Sequence, residues 1–157
     1  MNPPSVATEP KERVRAWLKI LKTTRHIEKE LRERFRSELD TTLPRFDVMA
    51  ALHRSDHGLK MHELSRALRV SNGNVTGIVD RLAEHKLVER HAVPGDRRAQ
   101  LICLSTTGRA IFDEHARIHE GWVNELLADL ATDDVEQLMD LLDLALTSEA
   151  QTKEELT

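Results

Sequence analysis

The middle of the chain, residues 64–108, holds the pattern that most constrains the fold. Two short amphipathic segments come first, and only Arg69 and Val70 separate them. Two β-prone runs follow, on either side of a turn that contains Pro94 and Gly95. The order helix, tight turn, helix, strand, turn, strand is typical of a helix-turn-helix followed by a β-hairpin. The sequence therefore predicts a mainly helical protein with a small β-hairpin.

The second helix of this segment begins with a cluster of short polar side chains. Ser71 is a good N-cap, and the residues after it can bond base edges or phosphates. Gly73 and Gly77 each cost the helix about 1 kcal/mol against alanine, and close approach to a duplex is one reason to keep them. An ordinary capped helix with a glycine-rich start is the alternative. The predicted DNA-contacting residues of this helix are Ser71, Asn72, Asn74 and Thr76.

The turn of the predicted hairpin is strongly charged. Arg97 and Arg98 lie where a hairpin could reach the minor groove, whose negative potential attracts guanidinium groups. Asp96 can fix one arginine through a charge-assisted bond. Taken alone, this pattern also fits a solvated turn, but after a polar helix start it favours DNA binding. We therefore add Asp96, Arg97 and Arg98 to the predicted DNA contacts.

Helical periodicity continues on both sides of this segment. A long helix is predicted from about residue 11 to 39, and a second from Pro44 to Arg54. Ser105 should cap a helix that reaches about residue 130, and Thr132 a last helix through Leu146. Residues 1–10, with three prolines, are predicted to be a disordered arm, and residues 148–157 a disordered tail.

The outer helices are too apolar for one small domain to cover. Either they form a bundle within the chain, or they join two copies of it, and we favour the homodimer because two-fold operators require two-fold proteins. The prediction is dimerisation helices at 11–40 and 105–147 around a DNA-binding domain at 41–104. The apolar positions in the last two helices include Ile111, Ile118, Trp122, Leu126, Leu130, Leu138, Leu141, Leu142 and Ala145.

The charge distribution resolves an apparent objection to DNA binding. The net charge is −4, but residues 1–40 and 41–104 each carry +3, and residues 105–157 carry −10. The acidic part should therefore face away from DNA. No apolar run approaches the roughly 20 residues of a membrane span, no signal pattern is visible, and Cys103 is the single cysteine. We expect a cytoplasmic protein with no membrane association and no cofactor.

Four motifs together resemble one family of bacterial regulators. They are the run from Asn74 to Leu82 (NVTGIVDRL), the run from Leu87 to Arg90 (LVER), the wing sequence Asp96-Arg97-Arg98, and the run from Leu104 to Arg109 (LSTTGR). This combination resembles the MarR family over roughly residues 11–147. The resemblance implies a winged helix-turn-helix flanked by dimerisation helices, and a repressor that a small ligand releases from a palindromic operator. Lys60-Met61 departs from the pattern, since relatives often have Ser or Thr there.

The resemblance also implies a ligand site between the dimerisation helices and the winged domain. The helix start and the segment His119-Glu120-Gly121-Trp122 resemble members that control aromatic-acid catabolism and sense hydroxycinnamoyl-CoA thioesters. The expected effector is thus an aromatic acid or its CoA thioester. The phosphates of the CoA group could bind basic side chains of the first helix. The predicted ligand-binding residues are Trp17, Leu21, Phe46, Met49, His115, His119 and Trp122. The basic residues of the first helix that could bind these phosphates are Lys11, Arg13, Arg15, Lys19, Lys22 and Arg25.

Two other chemistries compete with this interpretation. His115 and His119 are four residues apart on one helix face, so zinc sensing with a further ligand such as His26 is the alternative function. Catalysis is not expected, because no phosphate loop, nucleophile elbow or zinc-hydrolase motif is present. Cys103 on a predicted strand is interpreted as a structural thiol.

Overall fold

The computed structural model describes residues 10–154, except for the side chains of Asn72, Arg97 and residues 148–154. This part of the chain forms six helices and a three-stranded antiparallel sheet of order β1-β3-β2. The predicted mainly helical fold class with a β-hairpin is confirmed. None of the helices in the described range has both the length and the apolar composition to cross a membrane. The elements are α1 (Pro10–Leu39), α2 (Leu43–His53), β1 (Leu59–Lys60), α3 (Met61–Leu68), α4 (Asn72–Glu84), β2 (Val88–Val93), β3 (Asp96–Leu104), α5 (Thr106–Leu126) and α6 (Thr132–Glu154).

The chain divides into two compact units, residues 1–120 and residues 121–157. In the first unit, α2, α3 and α4 pack against one another, and α2 also contacts β3. The apolar side chains at these contacts are buried because they recur at helical spacing on the inner faces. The second unit contains the end of α5 and α6, and its residue Trp122 is buried. The largest fully buried side chains are Phe35, Val48, Leu52, Leu64, Val75, Val79, Leu82 and Ile102.

The start of α5 is fixed to the end of α4 by the residues between Leu104 and Arg109. The Ser105 hydroxyl donates to the carbonyl of Lys86 at 2.7 Å and accepts from the N–H of Gly108 at 2.9 Å. The predicted cap at Ser105 is therefore confirmed. Gly108 lies so close to Leu87 that an added Cβ would stand 1.9 Å from the Leu87 carbonyl oxygen. This close approach requires glycine.

Some element boundaries differ from those predicted. Strand β1 was not predicted, because two residues are too short to show a period of two, yet it pairs antiparallel with β3. Helix α5 ends at Leu126, four residues before the predicted end. The carboxylate of Asp134, rather than the predicted Thr132, caps α6, by accepting from the N–H of Ala131 at 3.1 Å. Helix α6 continues to Glu154, beyond its predicted end at Leu146. Residues 1–9 of the predicted arm and residues 155–157 of the predicted tail lie outside the described residues.

Candidate nucleic-acid interface

The first turn of α4 presents small polar groups to solvent. Arg69 ends α3 in the left-handed conformation with φ of 53°, and α4 begins three residues later at Asn72. Ser71 Oγ then accepts from the N–H of Asn74 at 3.4 Å, as an N-cap does. Ser71, Asn74 and Thr76 are exposed, while the side chain of Asn72 lies outside the described residues. Three of the four predicted contacts on α4 are thus available on one exposed helix start.

The opposite face of α4 fixes the helix to the rest of the first unit. Val75 and Val79 are fully buried. Asp80 forms an ion pair with Arg90 on β2, which ties the helix to the hairpin. Both charged residues lie in motifs that the sequence analysis recognised, but their mutual contact was not predicted, because it joins two elements ten residues apart. The result is a helix whose polar start is held in a defined direction.

The β2–β3 hairpin turns at Pro94 and Gly95, and Gly95 takes a φ of 85°, which favours glycine. The register passes from Ala92 opposite Gln100 to Val93 opposite Asp96, so residues 97–99 bulge from the ladder. The sequence predicted a simple charged turn, whereas the hairpin also contains a bulge at residues 97–99.

Asp96 acts on the wing through the backbone. Its Oδ1 accepts from the N–H of Arg98 at 3.0 Å, which fixes the direction of the bulged strand at Arg98. The Arg98 side chain is exposed, and that of Arg97 lies outside the described residues. An exposed guanidinium on a pinned strand is suited to phosphates or to a narrow minor groove.

A further cation near the wing, Lys60, was missed from the sequence. A cavity of about 370 Å³ between α3 and the hairpin is lined by Lys60, His62 and Arg98, among others. The N–H of Lys60 donates to Glu63 Oε2 at 2.7 Å, so Glu63 secures the start of α3 where a Ser or Thr cap was expected. The signal in the sequence was the departure at Lys60, which places a cation where a neutral cap is usual.

Two of the predicted ligand-binding residues meet in an aromatic cluster in the first unit. The rings of Phe46 and His119 have centroids 4.8 Å apart, and Phe35 lies 4.8 Å from Phe46. Phe112, which was not predicted, stacks on Phe46 at 5.4 Å. Phe46 and the nearby Met49 are buried. These residues therefore serve as packed core.

The other predicted ligand-binding residues lie apart from this cluster. Trp17 is 56% exposed on α1, one turn before the half-buried Leu21. His115 is half-buried on α5, and Trp122 is buried in the second unit. Burial lowers the pKa of His115, against a smaller opposing effect of Glu114, and burial also lowers the pKa of His119. Both imidazoles are therefore held toward the neutral form.

The zinc alternative finds no support in this geometry. Among residues 10–154, as far as they are described, no three His, Cys, Asp or Glu side chains come together in a way that could hold a metal ion. His119 instead contacts Phe35 and Phe46. Cys103 lies with Sγ 3.9 Å from the carbonyl oxygen of His57 and is half-buried on β3.

Comparisons with known proteins agree with the winged helix-turn-helix geometry. A sequence model of the MarR family matches residues 39–99. The Multiple antibiotic resistance protein MarR of Escherichia coli is 35% identical over 107 residues, which are 68% of this chain and 74% of that protein. A MarR mutant from E. coli complexed with operator DNA is 31% identical, with a TM-score of 0.72 over 86% of this chain and 96% of that chain. A MarR family transcriptional regulator from Silicibacter pomeroyi is 29% identical, with a TM-score of 0.76 over 91% and 99%.

Proposed function

The chain belongs to the MarR family of DNA-binding transcription regulators, and we propose that it is a homodimer that binds an inverted repeat in double-stranded operator DNA. The observation that carries the proposal is the exposed polar start of α4, backed by buried Val75 and Val79. Such a helix can enter the major groove while its apolar face stays in the core. The wing then reaches the neighbouring minor groove with Arg98. In this proposal residues 41–104 bind DNA, and the helices at 11–40 and 105–147 join the two copies of the chain.

Within this interface, the residues take different tasks. We assign base contacts to Asn74 and Thr76, because amide and hydroxyl groups can read base edges. The capping residue Ser71 and its neighbour Asn72 are assigned to phosphates, which position the protein on the duplex. Arg97 and Arg98 are assigned to the minor groove, with Asp96 fixing the strand that carries them.

Operator selection from a random DNA pool, followed by fluorescence anisotropy, tests the proposal. The selected sites should be inverted repeats with half-sites about 34 Å apart.

Arg98→Ala should weaken operator binding by about 1–3 kcal/mol. Asn74→Ala should change which bases are preferred more than it changes affinity for random DNA. Arg117→Ala, an exposed cation on α5, is the matched control. Selection of no sequence, or equal losses for Arg98→Ala and Arg117→Ala, would contradict the proposal.

The effector is proposed to be an aromatic acid or its CoA thioester, which releases a repressor from the operator of an aromatic-acid catabolic operon. The exposed Trp17 supports this, because an indole in water gains from covering its face with an aromatic ring. A cavity of about 430 Å³ beside it is lined by Leu18, Lys19 and Lys22, which offers apolar surface together with two phosphate-binding cations.

Calorimetry with 4-hydroxycinnamoyl-CoA, 4-hydroxycinnamate and CoA alone tests the effector class. Binding of the thioester should weaken in Trp17→Ala and in Lys22→Ala, and the thioester should lower operator affinity. Reciprocity requires that operator DNA weaken thioester binding by the same factor. Heat from CoA alone that equals the heat from the thioester would show that the aromatic group is not recognised, and this part of the proposal would fail.

A further inference from the structure

The C-terminal half of α1 carries a row of cations that the proposed DNA interface does not use. Its members are Arg25, Lys29, Arg32 and Arg36. They are spaced by four, three and four residues, so they lie on one face of the helix and extend over about 16 Å. All four side chains are exposed, and they line a shallow groove of about 340 Å³. We call these four residues the α1 cation row.

Little of the charge of the α1 cation row is neutralised within the chain. Arg32 lies 3.7 Å from Glu28, and because both side chains are more than half exposed this ion pair is weak. Among the residues that the structure describes, no carboxylate lies within ion-pair distance of the other three cations. Four cations against the carboxylates of Glu28 and Glu33 leave an excess of two positive charges along the groove. Such a surface attracts an anion.

The α1 cation row ends beside the proposed recognition helix. Arg32 and Arg36 line a cavity of about 590 Å³ together with Asn74, which lies in the first turn of α4. Thr42 and Leu43 at the start of α2 line the same cavity, and the N-terminal end of a helix carries partial positive charge. All of these residues belong to the first unit. The cations therefore adjoin the surface that is assigned to DNA.

We propose that the α1 cation row binds the phosphate backbone of the duplex beside the groove that α4 reads, with Arg36 nearest to α4. Guanidinium and ammonium groups bind phosphates strongly, and such contacts position a protein on DNA without reading its sequence. The row adds a third contact surface to α4 and the wing. This inference rests on the proposed function in one respect, namely that α4 faces DNA.

The α1 cation row continues a helix face that begins with apolar side chains. Val14 and Leu18 are four residues apart, and Leu18 precedes Arg25 by seven, so all three lie on one face of α1. Both apolar side chains are more than half exposed, and in the proposed dimer a second copy covers them. The rows of the two copies then lie on the sides that face each other, where like charges repel. Phosphates between the two half-sites relieve this repulsion, so we place the contacts there.

The acidic part of a second copy is the competing partner for the row, since residues 105–157 carry a charge of −10. It is the weaker choice because the row adjoins Asn74 on α4. The exposed apolar side chains that favour association lie elsewhere, at the other end of α1 and on α6.

The salt dependence of binding to a random-sequence duplex tests the row, because phosphate contacts act on any sequence. The logarithm of affinity falls linearly with the logarithm of salt concentration, with a slope of about 0.9 for each phosphate neutralised. In fluorescence anisotropy, Arg36→Gln should reduce the magnitude of this slope by about 2 for a dimer, and Arg32→Gln with Arg36→Gln by about twice as much. Arg117→Gln removes an exposed cation from α5 and should keep the wild-type slope. Thermal unfolding should not change, because glutamine is a good helix former.

A second measurement locates the contacted phosphates. Two duplexes carry the same selected inverted repeat, and neutral methylphosphonates replace the phosphates between the half-sites in one duplex and at the outer ends in the other. The central replacement should weaken binding of the wild type several-fold more than binding of the variant that lacks both Arg32 and Arg36. The outer replacement should affect the two proteins equally, because additivity is expected where no contact is shared.

Several results would overturn the inference. An unchanged salt slope in Arg36→Gln is one, and an equal reduction in Arg117→Gln, which reports only net charge, is another. Dissociation of the dimer by Arg36→Gln in sedimentation, with the salt slope retained, would assign the row to the acidic part of a second copy. A difference between the two proteins at the outer phosphates alone would contradict the central placement.

The same experiments separate this inference from the proposed function. If Arg36→Gln reduces the slope on random duplexes but no operator sequence is ever selected, the row stands and the proposed function fails. If operators are selected and Arg98→Ala weakens their binding while Arg36→Gln keeps the wild-type slope, the proposed function stands and the row does not contact DNA. Absence of binding to any duplex at low salt would contradict both.

Discussion

At the scale of single residues, two glycines in the first turns of α4 carry information about what this helix approaches. An added Cβ at Gly73 or Gly77 would meet no atom of the described structure within 4 Å. Packing within the protein therefore does not require glycine at either position, although each lowers helix stability by about 1 kcal/mol relative to alanine. A partner that approaches the exposed backbone closely accounts for both residues.

Gly77→Ala should therefore separate stability from function. We expect the free energy of unfolding, measured in urea, to be about 0.5–1 kcal/mol higher than in the wild type, because alanine favours the helix. Operator affinity in anisotropy should fall at the same time, because the new methyl group enters the space that the duplex occupies. Gly121→Ala on α5, where a Cβ also meets nothing within 4 Å, is the control and should stabilise without affecting DNA binding. Equal operator affinity in both variants would show that Gly77 does not face DNA.

His119 should make stability depend on pH. Burial against Phe35 and Phe46 lowers the pKa of His119 in the folded state below its ordinary value near 6.5. Between the folded and the unfolded pKa the unfolded chain binds more protons, so stability falls as the pH decreases through about 6.5 and levels off below the folded pKa.

His119→Phe keeps a ring beside Phe35 and Phe46 but removes this titration. Urea unfolding at fixed protein concentration, measured from about pH 5 to pH 8, should show a shallower loss of stability in acid than in the wild type. His115, whose pKa is also lowered by burial, should retain part of the slope. His26→Phe on the exposed face of α1 is the control. An acid slope that is unchanged in His119→Phe would contradict the assignment.

At the scale of elements, the junction between the helix-turn-helix and α5 depends on a single close approach. Gly108→Ala would place a Cβ 1.9 Å from the carbonyl oxygen of Leu87 and 2.8 Å from its carbonyl carbon. The Leu87 carbonyl oxygen accepts from the N–H of Ser105 at 3.0 Å, so this carbonyl cannot move away without breaking that hydrogen bond. We expect a loss of about 1–3 kcal/mol in the free energy of unfolding. Gly121→Ala on the same helix should be neutral or stabilising, and a similar result for Gly108→Ala would show that the junction tolerates a side chain.

The sequence predicted those elements whose signals are local. The caps at Ser71 and Ser105 follow from residues within one turn of each helix start, so they were correctly predicted. The bulge at residues 97–99 and the strand β1 depend on pairing with distant residues, which no local pattern reveals. The cap of α6 was misassigned because the helix already includes Thr132, and Asp134 accepts from the N–H of Ala131, the residue before it.

The candidate site divides in the same way. The polar start of α4 was predicted because its exposed residues are consecutive in the sequence. The ligand-binding residues were inferred from resemblance, and the structure places Phe46 and Met49 in the core. The cavity lined by Lys60, His62 and Arg98 escaped prediction because its walls come from both α3 and the hairpin, which only the fold brings together.

At the scale of the whole molecule, exposed apolar side chains on α1 and α6 argue for a second copy of the chain. Val14 and Leu18 on α1 are both more than half exposed, although they lie four residues apart on one helix face. On α6, Leu141 and Leu144 are exposed to 64% and 67%. An apolar stripe of this kind in water is expected to be covered by association. Inverted repeats in DNA would then be read by two symmetry-related copies of α4.

Leu18→Glu should therefore convert a dimer into a monomer. A carboxylate introduced into an apolar interface cannot be paired there, whereas on a helix exposed to water it would cost little. We expect sedimentation at micromolar concentration to give a dimer for the wild type and a monomer for Leu18→Glu, with far weaker binding to a full inverted repeat. Ala16→Glu adds the same charge at an exposed position about half a turn of the helix away from Leu18 and should leave the dimer intact. If both variants sediment as the wild type does and still bind the operator, α1 does not form the interface and the two-fold arrangement must rest on α6 alone.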